Sequence, residues 1–222
     1  MTLFGLVGDE GHVTGIDASR DMIAEARALN KPAFEGPSPR KFVLRDGHNP
    51  VPVGEVGAYD KVFSNAALHW MKRDPALVLQ NVFSYLRPGG RFAAELGGFM
   101  NCVGIRGHLH HALSRRGIRP EEYDPWFFPT PSQYNALLEK VGFRVESCEL
   151  VPRITPLPKE SGLHGWLRTF AGPFLNAIED AQEKEAVVNE VLEAVKPDCY
   201  DAETGIWSVM YVRLRVLAFK PE

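Results

Sequence analysis

Cysteine is scarce: Cys102, Cys148 and Cys199 are odd in number and far apart. That excludes a disulfide framework and offers no zinc-ligand spacing, so a reducing, cytoplasmic setting is the expectation. No apolar run approaches the roughly 20 residues that span a bilayer. The first residues lack the basic stretch and small-residue cleavage site of a secretory signal. Charge of either sign is nearly balanced, at a formal −3, which supplies no field for gripping nucleic acid or an anionic membrane. Repeats and low-complexity tracts do not stand out either. What is present is a chain of 222 residues, 45% hydrophobic, enough for one α/β domain with an elaboration.

The pattern along the chain alternates. "HVTGID" (His12 to Asp17) and "KFVLRD" (Lys41 to Asp46) read as strands that end in an acid, and a third strand centres on Val62 and Phe63. Ser19 caps a helix carrying Met22, Ile23 and Ala26 on one face, and prolines 32, 37 and 39 mark a loop. Asp74 and Pro75 open a helix as N-cap and first residue, and "RPGG" is expected to close it before the strand "RFAAEL". This is the rhythm of a doubly wound sheet. Beyond Gly98 it changes. Residues 100–118 look helical, "EEYDPWFFPTP" is an aromatic loop, and "PSQYNALLEKVGF" is a capped helix leading into a strand. Residues 160–197 read as two or three helices, and "IWSVMYVRLRVLAFK" as a long final strand.

Gly5, Gly8 and Gly11 imitate a dinucleotide fingerprint, but the spacing opposes it. In that motif the glycines follow a strand, and the ribose-binding acid lies about 20 residues on. Here Asp17 comes only 12 positions after Gly5, with four residues ahead of it. "LVGDEG" reads better as the loop from a helix end into the second strand of such a domain.

In this order, "VTGIDASRDMIAEAR", "FVLRDGHN", "YDKVFSNAALHWM", "LRPGGRFAAELGG", "PWFFPTPSQYNALLEKVGF" and "YVRLRVLA" carry a family likeness. From about Leu6 onward the chain resembles the class I S-adenosylmethionine-dependent methyltransferases, closely their trans-aconitate methyltransferase-like branch. The resemblance implies an α/β fold, a Rossmann-like class I methyltransferase sheet with a helical cap. Residues 1–150 would form the core, 151–205 the cap insertion and 206–222 the final core strand. Family members open with a strand and a (D/E)-x-G-x-G-x-G loop that has no counterpart here. The first, central strand is therefore expected to be missing and the chain to be N-terminally truncated. Losing a central strand would strand unpaired backbone groups on two edges. A clipped product, a sheet closed over the gap, or a partner chain would each answer that problem.

The implied cofactor is S-adenosylmethionine, and the implied reaction is methyl transfer to an oxygen, a carboxylate, of a small molecule. Two alternatives stay open: a catalytically silent pseudo-methyltransferase acting as a binding protein, and a cyclase or dehydratase using His69 and the arginines. The partners are a small carboxylic acid and, at most, a second copy in a homodimer, with neither nucleic acid nor membrane.

Asp17, at the carboxyl end of a strand, is placed to accept both ribose hydroxyls, with Ala18, Ser19 and Met22 along the same wall. Asp46, beside Gly47, is implied by the family to meet the adenine amino group. Asn65, Ala66 and Ala67 let a ligand approach the backbone. His69 and Trp70 project toward the transfer site. An indole face suits a sulfonium by about 0.5–2 kcal/mol, and an imidazole can orient an oxygen or act as a base; packing is the equal alternative for both. A carboxylate acceptor needs a cation. Arg213 and Arg215 alternate with Tyr211 on one strand face, and Arg168 and Arg153 are further candidates. Tyr123, Trp126, Phe127 and Phe128 form either a substrate lid or a satellite cluster. His108, His110 and His111, without nearby cysteine or H-E-x-x-H spacing, read as helix-surface residues.

Overall fold

Strands form where β-branched residues cluster, and helices start where a side chain can take up the first free N–H groups. The computed structural model describes Val7, residues 11–29 and residues 40–222; Gly5, Gly8 and the loop expected around prolines 32, 37 and 39 lie outside the described residues. The chain divides into two compact units, Met1–Glu55 and Val56–Glu222.

In the first unit, β1 (Val13–Asp17) runs parallel to β2 (Arg40–Leu44), with Asp17 opposite Leu44. Between them, α1 (Arg20–Leu29) is capped by Ser19, whose Oγ accepts the Met22 N–H at 3.3 Å. Near the helix end, Arg27 Nη2 donates to the Phe42 carbonyl at 2.6 Å, tying α1 to β2. Arg45 and Glu55 form an ion pair at 2.6 Å, and the guanidinium holds the Glu55 carboxyl below its ordinary range.

The second unit holds a mixed sheet in the order β3–β4–β7–β5, built from β3 (Tyr59–Asn65), β4 (Leu86–Gly97), β5 (Arg144–Pro156) and β7 (Ile206–Phe219). β3 and β4 are parallel, whereas β7 runs antiparallel to both β4 and β5. A two-residue strand, β6 (Tyr200–Asp201), pairs with the start of β7. This is the α/β, Rossmann-like sheet expected from the sequence.

Helix α2 (Pro75–Tyr85) starts at Asp74, whose carboxylate accepts the Leu77 N–H at 2.9 Å. "RPGG" does not follow the helix as a free turn. It is already inside β4, where the pairing with β3 jumps from Tyr59–Leu86 to Lys61–Arg91. Gly90 makes that jump sterically feasible, because a Cβ there would sit 2.8 Å from the Arg87 carbonyl. Helix α4 (Pro131–Val141) carries a reciprocal capping box between Thr130 and Gln133.

Helices α3 (Ile105–Ser114), α5 (Gly162–Phe170), α6 (Gly172–Leu175) and α7 (Ala181–Cys199) bury one another's apolar faces. The helical layer thus draws in α3 as well as the helices after residue 160. Leu109, Leu113, Leu163 and Leu167 are fully buried there, each worth about 1.5–3 kcal/mol. A second cluster packs α2 and α4 on the sheet through Leu79, Leu138, Phe92, Leu96 and Leu214. Among the described residues, no helix is long and apolar enough to cross a membrane.

Candidate functional site

In the first unit the parallel pairing brings two acids to one end of two strands. The Arg45 N–H donates to the Asp17 carbonyl at 2.9 Å, so Asp46 follows directly on the strand pair's carboxyl edge. Asp17 is exposed, and its Oδ1 accepts the Ser19 N–H at 2.7 Å. Ala18 and Met22 are exposed beside it. Asp46 Oδ1 accepts the His48 N–H at 2.9 Å and lies 2.7 Å from the His48 ring Nδ1. Gly47, without a side chain, is the neighbour of that carboxylate.

The second unit contains a cavity of about 150 Å³ walled by aromatic rings. Its floor is a knot of backbone bonds. Gly98 N–H donates to the Val212 carbonyl at 2.9 Å, Cys102 N–H to Met210 at 3.0 Å, and Phe99 N–H to Pro129 at 2.9 Å. The Asn101 side chain accepts the Val212 N–H at 2.9 Å, locking the segment after β4 against β7. On the opposite side, β3 ends at exposed Asn65 and turns at Ala66, with Ala67 leading into a short 3-10 turn, Leu68–Trp70. The Phe127 N–H donates to the His69 carbonyl at 2.8 Å, so the aromatic loop is stitched to that turn.

His69 is buried, and its Nδ1 accepts the Gly97 N–H at 3.1 Å. That bond places the ring proton on Nε2. Burial, reinforced by the nearby Arg213 charge, pushes the imidazole down to about 4. The ring is therefore neutral at physiological pH. Trp126 stacks on Phe128 at 5.5 Å and meets Trp70 edge-on at 6.0 Å. From the helical layer, Trp166 Nε1 donates to the Tyr211 hydroxyl at 2.6 Å, which leaves the Tyr211 proton free to be given elsewhere. Burial raises the Tyr211 phenol, and it pushes the Cys102 thiol up to about 12, so both are neutral.

Arg213 lies over the Tyr211 ring, with 4.3 Å from Cζ to the centroid. Its Nε is buried and has no hydrogen-bond partner among the described residues. Glu95 Oε1 is 4.0 Å away, too far to accept a hydrogen bond, and the same carboxylate is held at 2.8 Å by Arg215.

The expected residues therefore separate. Ala66, His69, Trp70, Trp126, Phe128, Tyr211 and Arg213 come together around the cavity. Arg168 and Tyr123 do not line it. Arg168 sits two residues from Trp166 on α5, about 200° round the helix, and pairs with Glu185 instead. Tyr123 packs against the helical core. Arg215 spends its charge on Glu95, and Arg153 Nε donates to Thr155 at 3.3 Å. His110 departs from a surface role: its Nε2 is 2.9 Å from the buried Asp124 carboxylate, which Arg106 also binds. Asn101, Cys102, Trp166 and Phe170 complete the wall and were not anticipated. Trp166 and Phe170 stand four apart on α5, a spacing that puts both on one helix face.

The family described as a methyltransferase domain matches residues 2–94. Across 97% of this chain and 80% of its own length, the uncharacterized methyltransferase C70.08c of Schizosaccharomyces pombe is 37% identical. This chain belongs to the methyltransferase family. The trans-aconitate 2-methyltransferase of Deinococcus radiodurans is more distant, 27% identical over 76% of this chain and 64% of that protein. An S-adenosylmethionine-dependent methyltransferase of Mesorhizobium loti shares the fold, with a TM-score of 0.52 and 17% identity over 95% of this chain and 81% of that one.

S-adenosylmethionine is the cofactor of this class. The acceptor set in the first unit fits an adenosyl group. An exposed carboxylate and a half-buried one stand at the ends of neighbouring strands, with the small residues Ala18 and Gly47 beside them.

Proposed function

We propose that this methyltransferase moves the methyl group of S-adenosylmethionine onto a carboxylate oxygen of a small organic acid held by Arg213. One observation carries the reading: the Arg213 guanidinium, whose buried Nε has no hydrogen-bond partner among the described residues, borders a cavity walled by aromatic rings. Leaving a charged donor desolvated and unsatisfied costs about 1–3 kcal/mol or more. A carboxylate in the cavity would give this guanidinium a charge-assisted partner.

A carboxylate is already ionised at neutral pH, so its methylation needs no strong base. The protein's part is orientation and exclusion of water. Arg213 and the Tyr211 hydroxyl hold one carboxylate oxygen, and the other remains the nucleophile. Trp126, Phe128 and Trp166 keep solvent from it. His69 presents its Nε2–H as a hydrogen-bond donor rather than serving as a base. When bound, the cofactor supplies an electrophilic methyl group on a sulfonium. Asp17 and Asp46 would hold its adenosyl part, Asp17 at the ribose hydroxyls and Asp46 at the adenine amino group. Family membership favours this reading over the cyclase, dehydratase and binding-only alternatives.

The test is incubation with S-adenosylmethionine and a panel of small carboxylic acids, with methyl esters and S-adenosylhomocysteine followed by mass spectrometry. Arg213→Met is expected to lower kcat/KM by about 100-fold, the equivalent of one charge-assisted hydrogen bond. Ester formation unchanged in that variant refutes the assignment. Asp17→Asn and Asp46→Asn should each weaken cofactor binding, and unchanged affinity in both removes them from the site.

A further inference from the structure

The cavity also constrains which acid it accepts. Among the described residues that line it, Arg213 is the one charged side chain. The other polar groups are either spent or donors. Asn101 uses its carbonyl oxygen on Val212 N–H and its amide on Cys102 Sγ at 3.2 Å. Tyr211 has accepted from Trp166 and retains a proton to give. His69 has accepted from Gly97, which leaves Nε2–H as its donor. Among the described residues, no carboxylate lines the wall. The rest is apolar: Ala66, the neutral Cys102 thiol and the rings of Trp70, Trp126, Phe128, Trp166 and Phe170. The cavity is open on one side, and its volume of about 150 Å³ takes in a body of roughly one benzene ring.

We infer that the acceptor is a flat, apolar monocarboxylate, with one anionic head at Arg213 and a body about the size of one six-membered ring or a short conjugated chain. This deepens the proposed transfer to carboxylates and rests on it only for the chemistry, not for the binding. The inference separates this chain from its relative named for trans-aconitate, a tricarboxylate. Two further carboxylates in this cavity would meet aromatic faces and no second cation, and burying an unpaired charge is strongly unfavourable. A neutral amide of the same shape would lose the charge-assisted bond to the guanidinium.

The experiment measures binding separately from chemistry. Three tryptophans line the cavity, so tryptophan fluorescence of the full chain, checked by calorimetry, reports occupancy. The probes are benzoate, benzamide and trans-aconitate. Benzoate is expected to bind about tenfold or more tighter than either of the others, and Arg213→Met to reduce benzoate to the level of benzamide. Benzamide or trans-aconitate binding as tightly as benzoate overturns the inference, as does an absence of benzoate binding at millimolar concentration. The comparison of probes needs only the unsubstituted protein, so it holds even if the variant misfolds. Methyl benzoate is then sought by mass spectrometry with S-adenosylmethionine present. Charge-selective benzoate binding without ester formation supports the cavity assignment and refutes the methyl-transfer reading instead.

Discussion

Acid should unmask His69. Its imidazole sits at about 4 in the folded chain against an ordinary value of 6.5, because burial disfavours the charged ring and Arg213 adds repulsion. The unfolded chain binds that proton more readily than the folded one. The neutral ring's contribution to stability is therefore complete above pH 6.5 and is lost as pH falls toward 4. At 1.36 kcal/mol per unit, the loss reaches about 2 kcal/mol at pH 5 and about 3 kcal/mol at pH 4.

Other groups also respond to acid. Salt-bridged Glu55, Glu185 and Glu190 are held below their ordinary carboxylate range, so the whole protein weakens at low pH. A differential measurement removes that background. In His69→Asn the amide oxygen takes the place of Nδ1 and still accepts from Gly97, but nothing at the position titrates. Urea unfolding of both proteins at pH 7.5, 6.0 and 5.0 should show the unsubstituted chain losing about 2 kcal/mol more than the variant across that range. An NMR titration of the ring, assigned by its disappearance in the variant, should give a midpoint near 4. A stability difference that stays flat from pH 7.5 to 5, or a midpoint close to 6.5, would refute the burial argument and reopen a role for His69 as a base.

Three further substitutions probe the walls. In Gly97→Ala the new Cβ would sit 2.4 Å from Phe128 Cε1, so the ring must move; a loss of about 1–3 kcal/mol in chemical denaturation is expected, with weaker binding of any cavity ligand, and an unchanged stability contradicts the close approach. Asp124→Asn removes the buried carboxylate shared by Arg106, His110 and the Trp126 N–H. It should cost about 2–3 kcal/mol, reduced from the fully buried case because Arg106 is partly exposed, and it should shift tryptophan fluorescence; identical spectra count against Asp124 as the anchor of the aromatic loop. Met100→Gly removes a side chain that is 54% exposed from a residue at φ 66°. Relief of about 1–2 kcal/mol of left-handed strain, less glycine's entropic cost, should leave a gain of about 0.5–1 kcal/mol, and a fall in Tm argues against strain there.

Much of the frame was legible because it rests on local rules. Ser19, Asp74 and Thr130 each cap a helix by accepting an N–H within three residues, and such bonds leave a sequence signature. The last strand was readable from its run of branched and aromatic residues, although its position between β4 and β5 was not. Misreadings arose where a distant partner decides. The helix does stop just before "RPGG", at Tyr85, yet the segment is no free turn: Gly89 N–H donates to the Lys220 carbonyl at 2.9 Å and the segment bulges within a strand. Arg168 and Arg213 were equal candidates by residue type. Glu185 neutralises one, and the other is left beside the cavity with a bare Nε. Trp166 and Phe170 offered an i, i+4 pair on a helix already assigned to the cap, but nothing local shows which way such a helix faces.

The backbone adds an independent argument for where function resides. Among the described residues, three non-glycine residues have positive φ: Ala66 at 56°, Met100 at 66° and Cys102 at 54°. Ala66 and Cys102 line the cavity, and Met100 adjoins Asn101 in its wall. Each conformation costs about 1–2 kcal/mol relative to ordinary backbone, and each is held by a bond from outside its own turn or by a neighbour that is. Ala66 N–H donates to Glu95 at 2.7 Å, Cys102 N–H to Met210 at 3.0 Å, and Asn101 fixes the segment between Met100 and Cys102. Strain maintained by over-determined bonding tends to mark sites where geometry serves a ligand. Here it borders an aromatic cavity lined by Arg213, whose Nε has no hydrogen-bond partner among the described residues. Packing alone gives no reason to bend the chain at both of its walls, whereas the carboxylate site proposed for Arg213, Tyr211 and His69 would.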